Sequence, residues 1–517
     1  MVLRFSQWAY CPAGILGEIK HPPKSMCNLR RVWDAVLRDY CLSIKDPEMG
    51  GGIALALSVF AAIAAVLAQR DIPTGPLTGL AATTPTTPPS KLIGRLPALG
   101  WNSWNAYRCD INEAKIIAAA TQLLSLGLKD VGYEYVNVDD CWAEMQRDPL
   151  TKRLVPDSKK FPNGIKSVAD KIHGLGLKFG IYSDAGFATC EKYPGSLGYE
   201  SIDAETFSEW GVDYLKYDNC NVPANWTDTS TVVPPFGDWY HSNSAIRYRQ
   251  MGHALASQPR PIEFAICSWG EGHVWEWGSR GHSWRMTKDS RPQWSFVRSF
   301  IETNVAYLSK TNFFGHNDMD MMEIGNGDLD LPEQRTHFAA WAFLKSPILL
   351  GTDLSVLSSE QANIIKNKEL LAFNQDATVG TPALPFVPYS GAPTISPPEY
   401  YAGRSSKGVH VFVINMSSYK RTMQFSIADV PDLLPAANYR IHDMWTGADR
   451  LTTYTRSSTV AVTLAAHDTA AYLIDSVCPR CSMGEPRYIE CVFLVVKLKT
   501  TESLRYLCSR LLRWKDM

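Results

Sequence analysis

A chain of 517 residues is too long for one ordinary domain and long enough for a barrel of about 250 residues plus a smaller domain. Its hydrophobic fraction of 45% supports a sizeable core, and a formal net charge of −1 gives no electrostatic reason to bind nucleic acid or an anionic membrane. Sixteen Trp and 22 Tyr supply rings either for a large aromatic core or for stacking on the apolar faces of sugars.

Residues 1–48 carry no pattern of their own. The run from Ile53 to Ala68 is uncharged and apolar, shorter than the roughly 20 residues that span a bilayer, and ends in the small-residue pattern Val66-Leu67-Ala68 that suits signal cleavage. Residues 49–68 are therefore expected to be a signal peptide beginning near Met49, with 1–48 an over-extended gene model; a signal anchor with a cytosolic tail is the alternative. Residues 69–91 are rich in Pro and Thr and read as a linker suited to O-glycosylation.

From Leu96 short apolar runs alternate with amphipathic helical stretches. The strands expected are Leu96–Trp101, Tyr135–Asp139, Lys178–Tyr182, Tyr214–Tyr217, Ile262–Cys267, Ser283–Met286, Asn312–Gly315 and Ile348–Leu350. Helices such as Ile111–Leu126, Ile165–Leu175, Ala204–Trp210, Ile246–Ser257 and Glu333–Lys345 lie between them. This alternation predicts parallel strands with crossover helices, and eight units predict an α/β fold, a (β/α)8 TIM barrel over 92–378. Past Gly380 the style changes to β-type runs at Gly408–Asn415, Thr422–Ile427, Asn438–Asp443, Val460–Leu464 and Thr469–Ile474. They predict a C-terminal antiparallel β-sandwich over 379–476.

Residues 477–517 turn basic, with eight Lys/Arg against four Asp/Glu, and are expected to be an unstructured or mis-annotated tail. Cys478-Pro479-Arg480-Cys481 looks like half a zinc site, but no second half follows at a suitable spacing. Of the 12 Cys, five lie in the long middle: Cys109, Cys141, Cys190, Cys220 and Cys267. An odd number suits two bridges and one free thiol in an oxidising compartment, with the pairing left open. Asn225-Trp226-Thr227 and Asn415-Met416-Ser417 are glycosylation acceptor patterns. The expectation is a secreted, extracellular protein.

The ends of the expected strands carry the chemistry. Asp139 and Asp140 end the second, Asp184 follows the third, Asp218 ends the fourth, Asp289 follows the sixth, and Asp318 and Asp320 follow the seventh. In this architecture those ends converge on one face. A ring of carboxylates suits a hard cation or carbohydrate chemistry. Lys216, two residues before Asp218, points to the same face of the strand, and Arg285 precedes Asp289 by four; such cations weigh against a metal and favour ionised neighbours. In glycoside hydrolysis one carboxylate attacks the anomeric carbon and the other protonates the departing oxygen, about 5–5.5 Å away in a retaining enzyme. On this reading Lys216 keeps Asp218 ionised as nucleophile. The charge of Asp218 is a source for the raised pKa that Asp289 needs as acid.

Five collinear motifs, Gly100-Trp101-Asn102-Ser103-Trp104, Asn137-Val138-Asp139-Asp140-Cys141-Trp142, Gly180-Ile181-Tyr182-Ser183-Asp184, Leu215-Lys216-Tyr217-Asp218-Asn219-Cys220 and Asn317-Asp318-Met319-Asp320-Met321, resemble glycoside hydrolase family 27. The likeness runs from about residue 92 to 476 and is nearest to the fungal α-galactosidases of the melibiase type. The resemblance implies a retaining α-galactosidase that releases terminal α-D-galactosyl residues with Asp218 as nucleophile and Asp289 as acid/base. It implies that Asp139 and Asp140 bind the O4 and O6 hydroxyls and that Lys216 binds a hydroxyl. Trp104 would lie beside the sugar, with Tyr182, Arg285 and Asp320 at further pocket positions. It also implies the pairs Cys109–Cys141 and Cys190–Cys220, leaving Cys267 free, and no cofactor or metal. The loop Cys267-Ser268-Trp269-Gly270-Glu271 faces the C2 substituent in the family. There Ser268 stands where animal α-galactosidases carry Glu and N-acetylgalactosaminidases carry Ser, so α-N-acetylgalactosaminidase is the alternative. A non-catalytic galactoside-binding protein would need neither Asp218 nor Asp289. The implied partners are galactose-containing oligosaccharides or polysaccharides, with no nucleic acid and no membrane partner; the oligomeric state is open.

Overall fold

The computed structural model of the chain describes residues 86–228 and 237–477. The expected extension, signal segment, basic tail and most of the linker lie outside the described residues. Among those described, no helix is long and apolar enough to cross a membrane.

Eight short parallel strands form the first sheet: β1 (Leu99–Asn102), β2 (Tyr135–Asn137), β3 (Lys178–Asp184), β4 (Tyr214–Asp218), β5 (Glu263–Ile266), β6 (Ser283–Arg285), β7 (His316–Asp318) and β8 (Ile348–Leu350). Each pairs with the next from β1 to β7, and β8 returns to pair with β1. The ring closes just past β7, where Met322 donates to the Leu349 carbonyl and Gly351 to that of Met322. The principal crossover helices are α1 (Glu113–Ser125), α2 (Gly164–Gly174), α3 (Glu200–Trp210), α4 (Asn243–Ala256), α5 (Trp294–Val305) and α6 (Leu331–Phe343), followed by α7 (Ser359–Ile365) and α8 (Lys368–Asn374). The result is a (β/α)8 barrel.

The barrel is filled, not hollow. Ala98, Tyr135, Tyr214, Ala265, Met321 and Leu349 pack in one buried cluster, with the Tyr135 hydroxyl on Glu263 at 2.6 Å. Gly180 is required there: a Cβ would meet Asn137 Oδ1 at 1.9 Å. Outward-facing Val136, Ile181, Leu215 and Phe264 join the larger core beneath the helices.

The sequence periodicity places most elements within a few residues, and the exceptions have physical causes. β7 is His316–Asp318, not Asn312–Gly315. That earlier stretch closes on itself as a turn (Asn312 to Gly315, 2.9 Å) with Phe314 at φ +65°, and the strand that follows is polar but buried. Asn317 accepts from Trp284 Nε1 and donates to Asn304, so hydrogen bonds do the work that apolar side chains do elsewhere. α3 begins four residues early because its polar first turn is buried: Asp203 takes a two-pronged contact from Arg147 at 2.6 Å. α6 begins at Leu331, set by a capping box between Asp330 and Glu333. The last linker residues are docked, with Thr87 on His253 (2.7 Å) and the Ser90 carbonyl on His282 (2.8 Å).

The second domain is a sandwich. Six strands, β9 (Leu384–Pro385), β10 (Tyr400–Ser405), β11 (Gly408–Ile414), β13 (Asn438–Asp443), β14 (Ala448–Asp449) and β16 (Thr469–Val477), form one antiparallel sheet ordered β14-β13-β16-β11-β10-β9. β12 (Arg421–Ser426) and β15 (Thr459–Leu464) form the other. Along β11 the period of two splits the side chains. Val409, Val411 and Val413 enter the sandwich core, while Phe412 and Ile414 join the barrel core, Phe412 stacking on Phe343 of α6 at 4.6 Å. Arg335 on α6 adds an ion pair to Asp468 at 2.8 Å.

Candidate active site

At the C-terminal ends of the barrel strands the predicted acids converge. Asp218 ends β4, is 6% exposed, and has both oxygens held: Oδ1 accepts from Asn219 N (2.9 Å) and Oδ2 from the Tyr182 hydroxyl (3.0 Å). Burial pushes its carboxyl above the ordinary range, and Lys216 only partly offsets this. Asp289 follows β6, with its side chain 64% exposed and Arg285 Nη2 at 3.1 Å from Oδ1. Partial burial pushes it upward, but Arg285, Lys216 and Arg108 outweigh this and hold it below the ordinary carboxylate range. Asp218 and Asp289 sense each other's charge.

This corrects the sequence reading in two respects. Lys216 is not the direct partner of Asp218; its Nζ pairs with Asp139 Oδ2 at 2.8 Å. The pushes on the two carboxyls also run opposite to those expected from neighbouring charge alone, upward on Asp218 and downward on Asp289. Desolvation of one acid and an arginine beside the other decide them.

Around this pair the remaining candidates fall into place. Asp139 also accepts from Asn102 Nδ2 (2.8 Å), whose Oδ1 caps the short helix Ser103–Tyr107 by accepting from Trp104 N (2.8 Å). Trp104 is thereby fixed over the top of the lumen cluster. Asp140 is buried, accepts from Cys141 N and Glu191 N, and is pushed up to about 6 by burial. Arg285 bridges Asp289 and Asp320, the latter at 2.8 Å, and Asp320 Oδ2 accepts from Ser290 N (2.6 Å). Ser268 is buried with its hydroxyl unpartnered among the described residues, and Trp269 follows it at φ +58°. Lys216, Arg285, Asp320, Asn102 and Cys267 also line a cavity of about 20 Å³, about the room of one water.

Both implied disulfides are present, Cys109–Cys141 and Cys190–Cys220, and Cys267 is free and buried. Asp184, Cys190, Asp218 and Cys220 crowd within 4.8 Å of one another, a spacing a metal would accept. The two sulfurs are bonded to each other, so no thiolate remains to ligate. Asp184 instead accepts from Gly186 N and Cys220 N and serves the backbone. The glycosylation expected at Asn415 is corrected: its side chain is fully buried and Nδ2 donates to the carbonyls of Tyr419 (2.8 Å) and Ala465 (2.6 Å). Asn225 lies in the short turn Ala224–Trp226.

Sequence reasoning assigned no role to Asn102, Asp318, Arg247 or Tyr248. Asp318, pushed up to about 6 by burial, opens on the same small cavity. Its place at a strand end was a usable signal; that of Arg247 and Tyr248 on a helix was not.

Comparison with known proteins agrees with this geometry. Residues 96–376 match the family model of alpha galactosidase A, and 396–474 match that of the alpha galactosidase C-terminal beta sandwich domain. The protein named "Probable alpha-galactosidase B" of Aspergillus clavatus is 45% identical over 422 residues, covering 75% of this chain and 94% of that protein. The crystal structure of alpha-galactosidase I from Mortierella vinacea is 34% identical with a TM-score of 0.66, over 74% of this chain and 98% of that one. That of the Saccharomyces cerevisiae alpha-galactosidase with raffinose is 28% identical with a TM-score of 0.66, over 76% and 100%.

Proposed function

Because the chain belongs to the melibiase family and is an alpha-galactosidase, a glycoside hydrolase, we propose that Asp218 and Asp289 hydrolyse terminal α-D-galactosyl bonds by retaining double displacement. The observation that carries this reading is a buried carboxylate, Asp218, with both oxygens oriented by fixed donors, within electrostatic reach of a second carboxylate, Asp289, that is open to solvent. Asp218 attacks C1, the C1–O bond breaks, and Asp289 gives its proton to the departing oxygen. Asp289 then takes a proton from water as that water attacks C1. This frees the Asp218 carboxylate, leaves Asp289 protonated, and releases galactose with its configuration retained.

The upward push on Asp218 and the downward push on Asp289 fit this scheme once substrate is counted. A sugar that covers Asp289 removes water from it, which raises its pKa. The pair then titrates as a unit whose proton moves to the acid as the site fills.

Asp139, held by Lys216 and Asn102, and Asp140 are the proposed O4 and O6 ligands; Lys216, Arg285, Tyr182, Asp320, Trp104 and Trp269 complete the pocket. The S. cerevisiae relative was solved with raffinose, which favours raffinose-type oligosaccharides as substrates here. The proposed catalytic domain is 92–378, its companion is 379–476, and the two disulfides suit a secreted protein. A second reading, α-N-acetylgalactosaminidase, rests on Ser268, whose small side chain leaves a buried hydroxyl without a partner. The test pairs p-nitrophenyl α-galactoside with the α-N-acetylgalactosaminide, on the wild type and Asp218→Asn. Strong preference for the galactoside, lost in Asp218→Asn with the fold intact, is expected. Preference for the acetamido sugar would transfer the specificity to the second reading, and wild-type turnover by Asp218→Asn would refute the nucleophile assignment.

A further inference from the structure

Behind the β4 loop lies a buried cation that the reaction scheme does not use. Arg247, on the first turns of α4, is 1% exposed. Its Nη2 donates to Asn219 Oδ1 at 2.8 Å and to Ser244 Oγ at 3.1 Å, and its Nη1 donates to the Ala185 carbonyl at 3.2 Å. Its Nε has no hydrogen-bond partner among the described residues. The next residue, Tyr248, donates its hydroxyl to the Asp218 carbonyl at 3.0 Å, and Ala185 N donates to that same carbonyl at 2.8 Å. One helix thus grips the loop after β3, the loop after β4 and the backbone of Asp218 itself.

A buried guanidinium with an unpartnered nitrogen costs desolvation, and apolar replacements of buried charges are often neutral for stability. Stability alone gives little reason to keep it. Its contacts give a better one. Asn219 N aims at Asp218 Oδ1, and Asn219's side chain is what Arg247 holds. Arg247 also opposes the burial and the Asp218 charge that push Asp184 upward, and Asp184 in turn holds Gly186 N and Cys220 N on the two loops.

We propose that Arg247 is a positioning residue for the nucleophile: through Asn219 and the Ala185 carbonyl it fixes the rotation of the Asp218 carboxylate toward the anomeric carbon. This rests on the reading of Asp218 as nucleophile. The hydrogen bonds of Arg247 go to Asn219, Ser244 and the Ala185 carbonyl and to none of the proposed sugar ligands, so its removal is expected to act on the chemical step and not on binding. A reacting group displaced by about 1 Å can lose about 100-fold in rate.

The experiment uses the full chain and an activated, fluorinated α-galactosyl fluoride that forms a glycosyl-enzyme slow to hydrolyse. Mass spectrometry of the wild type locates the label, and its rate of appearance is compared in Arg247→Met, Arg247→Lys, Asn219→Ala and the double variant Arg247→Met/Asn219→Ala. Expected are a label on Asp218, and trapping and kcat reduced by about 100-fold in Arg247→Met with KM changed less than about threefold. Arg247→Lys keeps charge without the fork and should recover part of the rate. Loss in the double variant should be no greater than in the worse single variant, because both act through one contact. A label on another residue would overturn the nucleophile reading and this proposal with it. A label on Asp218 with wild-type trapping in Arg247→Met, or single losses that multiply in the double variant, would overturn the positioning role alone. If Arg247→Met does not fold, Asn219→Ala and Arg247→Lys carry the test: wild-type trapping rates in both would overturn the proposal.

Discussion

Tyr182→Phe removes one oxygen from the site and leaves the ring. The hydroxyl lost is the donor to Asp218 Oδ2 at 3.0 Å, in a fully buried setting. The ring kept is the one that Lys216 Nζ approaches at 5.2 Å, so packing and the cation contact survive. A hydrogen bond to a charged group contributes about 1.5–3 kcal/mol. At 1.36 kcal/mol per factor of ten, its loss lowers the rate of attack by about 10- to 150-fold if the bond is fully expressed in the reacting state. The sign on pH follows from the same bond. It favours the ionised form of Asp218, so removing it adds to the upward push of burial, and less nucleophile is ionised at a given pH. The acid limb of kcat/KM should move to higher pH, while KM on a nitrophenyl galactoside changes little. The assay is a pH series of initial rates on both proteins. An unchanged kcat, or an acid limb that moves down, would refute the assignment of Tyr182 and Asp218 to one catalytic unit.

Asp289→Ala should lose far more activity on substrates with poor leaving groups than on nitrophenyl galactosides, since a good leaving group needs little protonation; equal loss across a leaving-group series would count against Asp289 as the acid. His442 bridges Glu369 of α8 and Asp449 of β14 at 2.8 and 2.7 Å, and these contacts hold its pKa above the ordinary histidine value. A raised folded-state pKa contributes stability that is fully present below the unfolded value near 6.5 and is lost as pH rises through the folded one. The Tm deficit of His442→Gln relative to wild type should therefore be larger at about pH 5.5 than at about pH 8.5, and a deficit independent of pH would show that the bridge is not charged.

The catalytic face was legible in the sequence because strand ends in a barrel have one destination. Asp139, Asp140 and Asp218 each follow or end an apolar run, and the run alone told where they would meet. What could not be read was partnership. Lys216 and Asp218 share a strand face, yet Lys216 finds Asp139 past the end of β2, because the alternate strands β2 and β4 send side chains into the same layer of the barrel. β7 escaped for a related reason. His316-Asn317-Asp318 has no apolar period, and the burial of Asn317 and Asp318 is satisfied by hydrogen bonds with Trp284, Asn304 and Asp320. Arg247 was unreadable in principle, because an arginine on a helix has the pattern of a solvated face until the loops it grips are in place.

The opposite pushes on the two acids follow from the same division between strand and loop. Asp218, the proposed nucleophile, ends a strand and is buried by the barrel itself, and burial favours its neutral form. An acid on a loop is left in solvent beside Arg285, and both favour its ionised form. Burial thus raises the one carboxyl while Arg285 lowers the other. A bound galactoside changes the two environments unequally: it covers an acid that was open and adds little burial to one already covered. It also fills the pocket with hydroxyls that can donate to an anionic Asp218. Each change moves the proton from Asp218 toward Asp289. An exposed Asp289 beside a buried Asp218 thus lets a bound sugar shift the two carboxyls in the directions the proposed reaction needs.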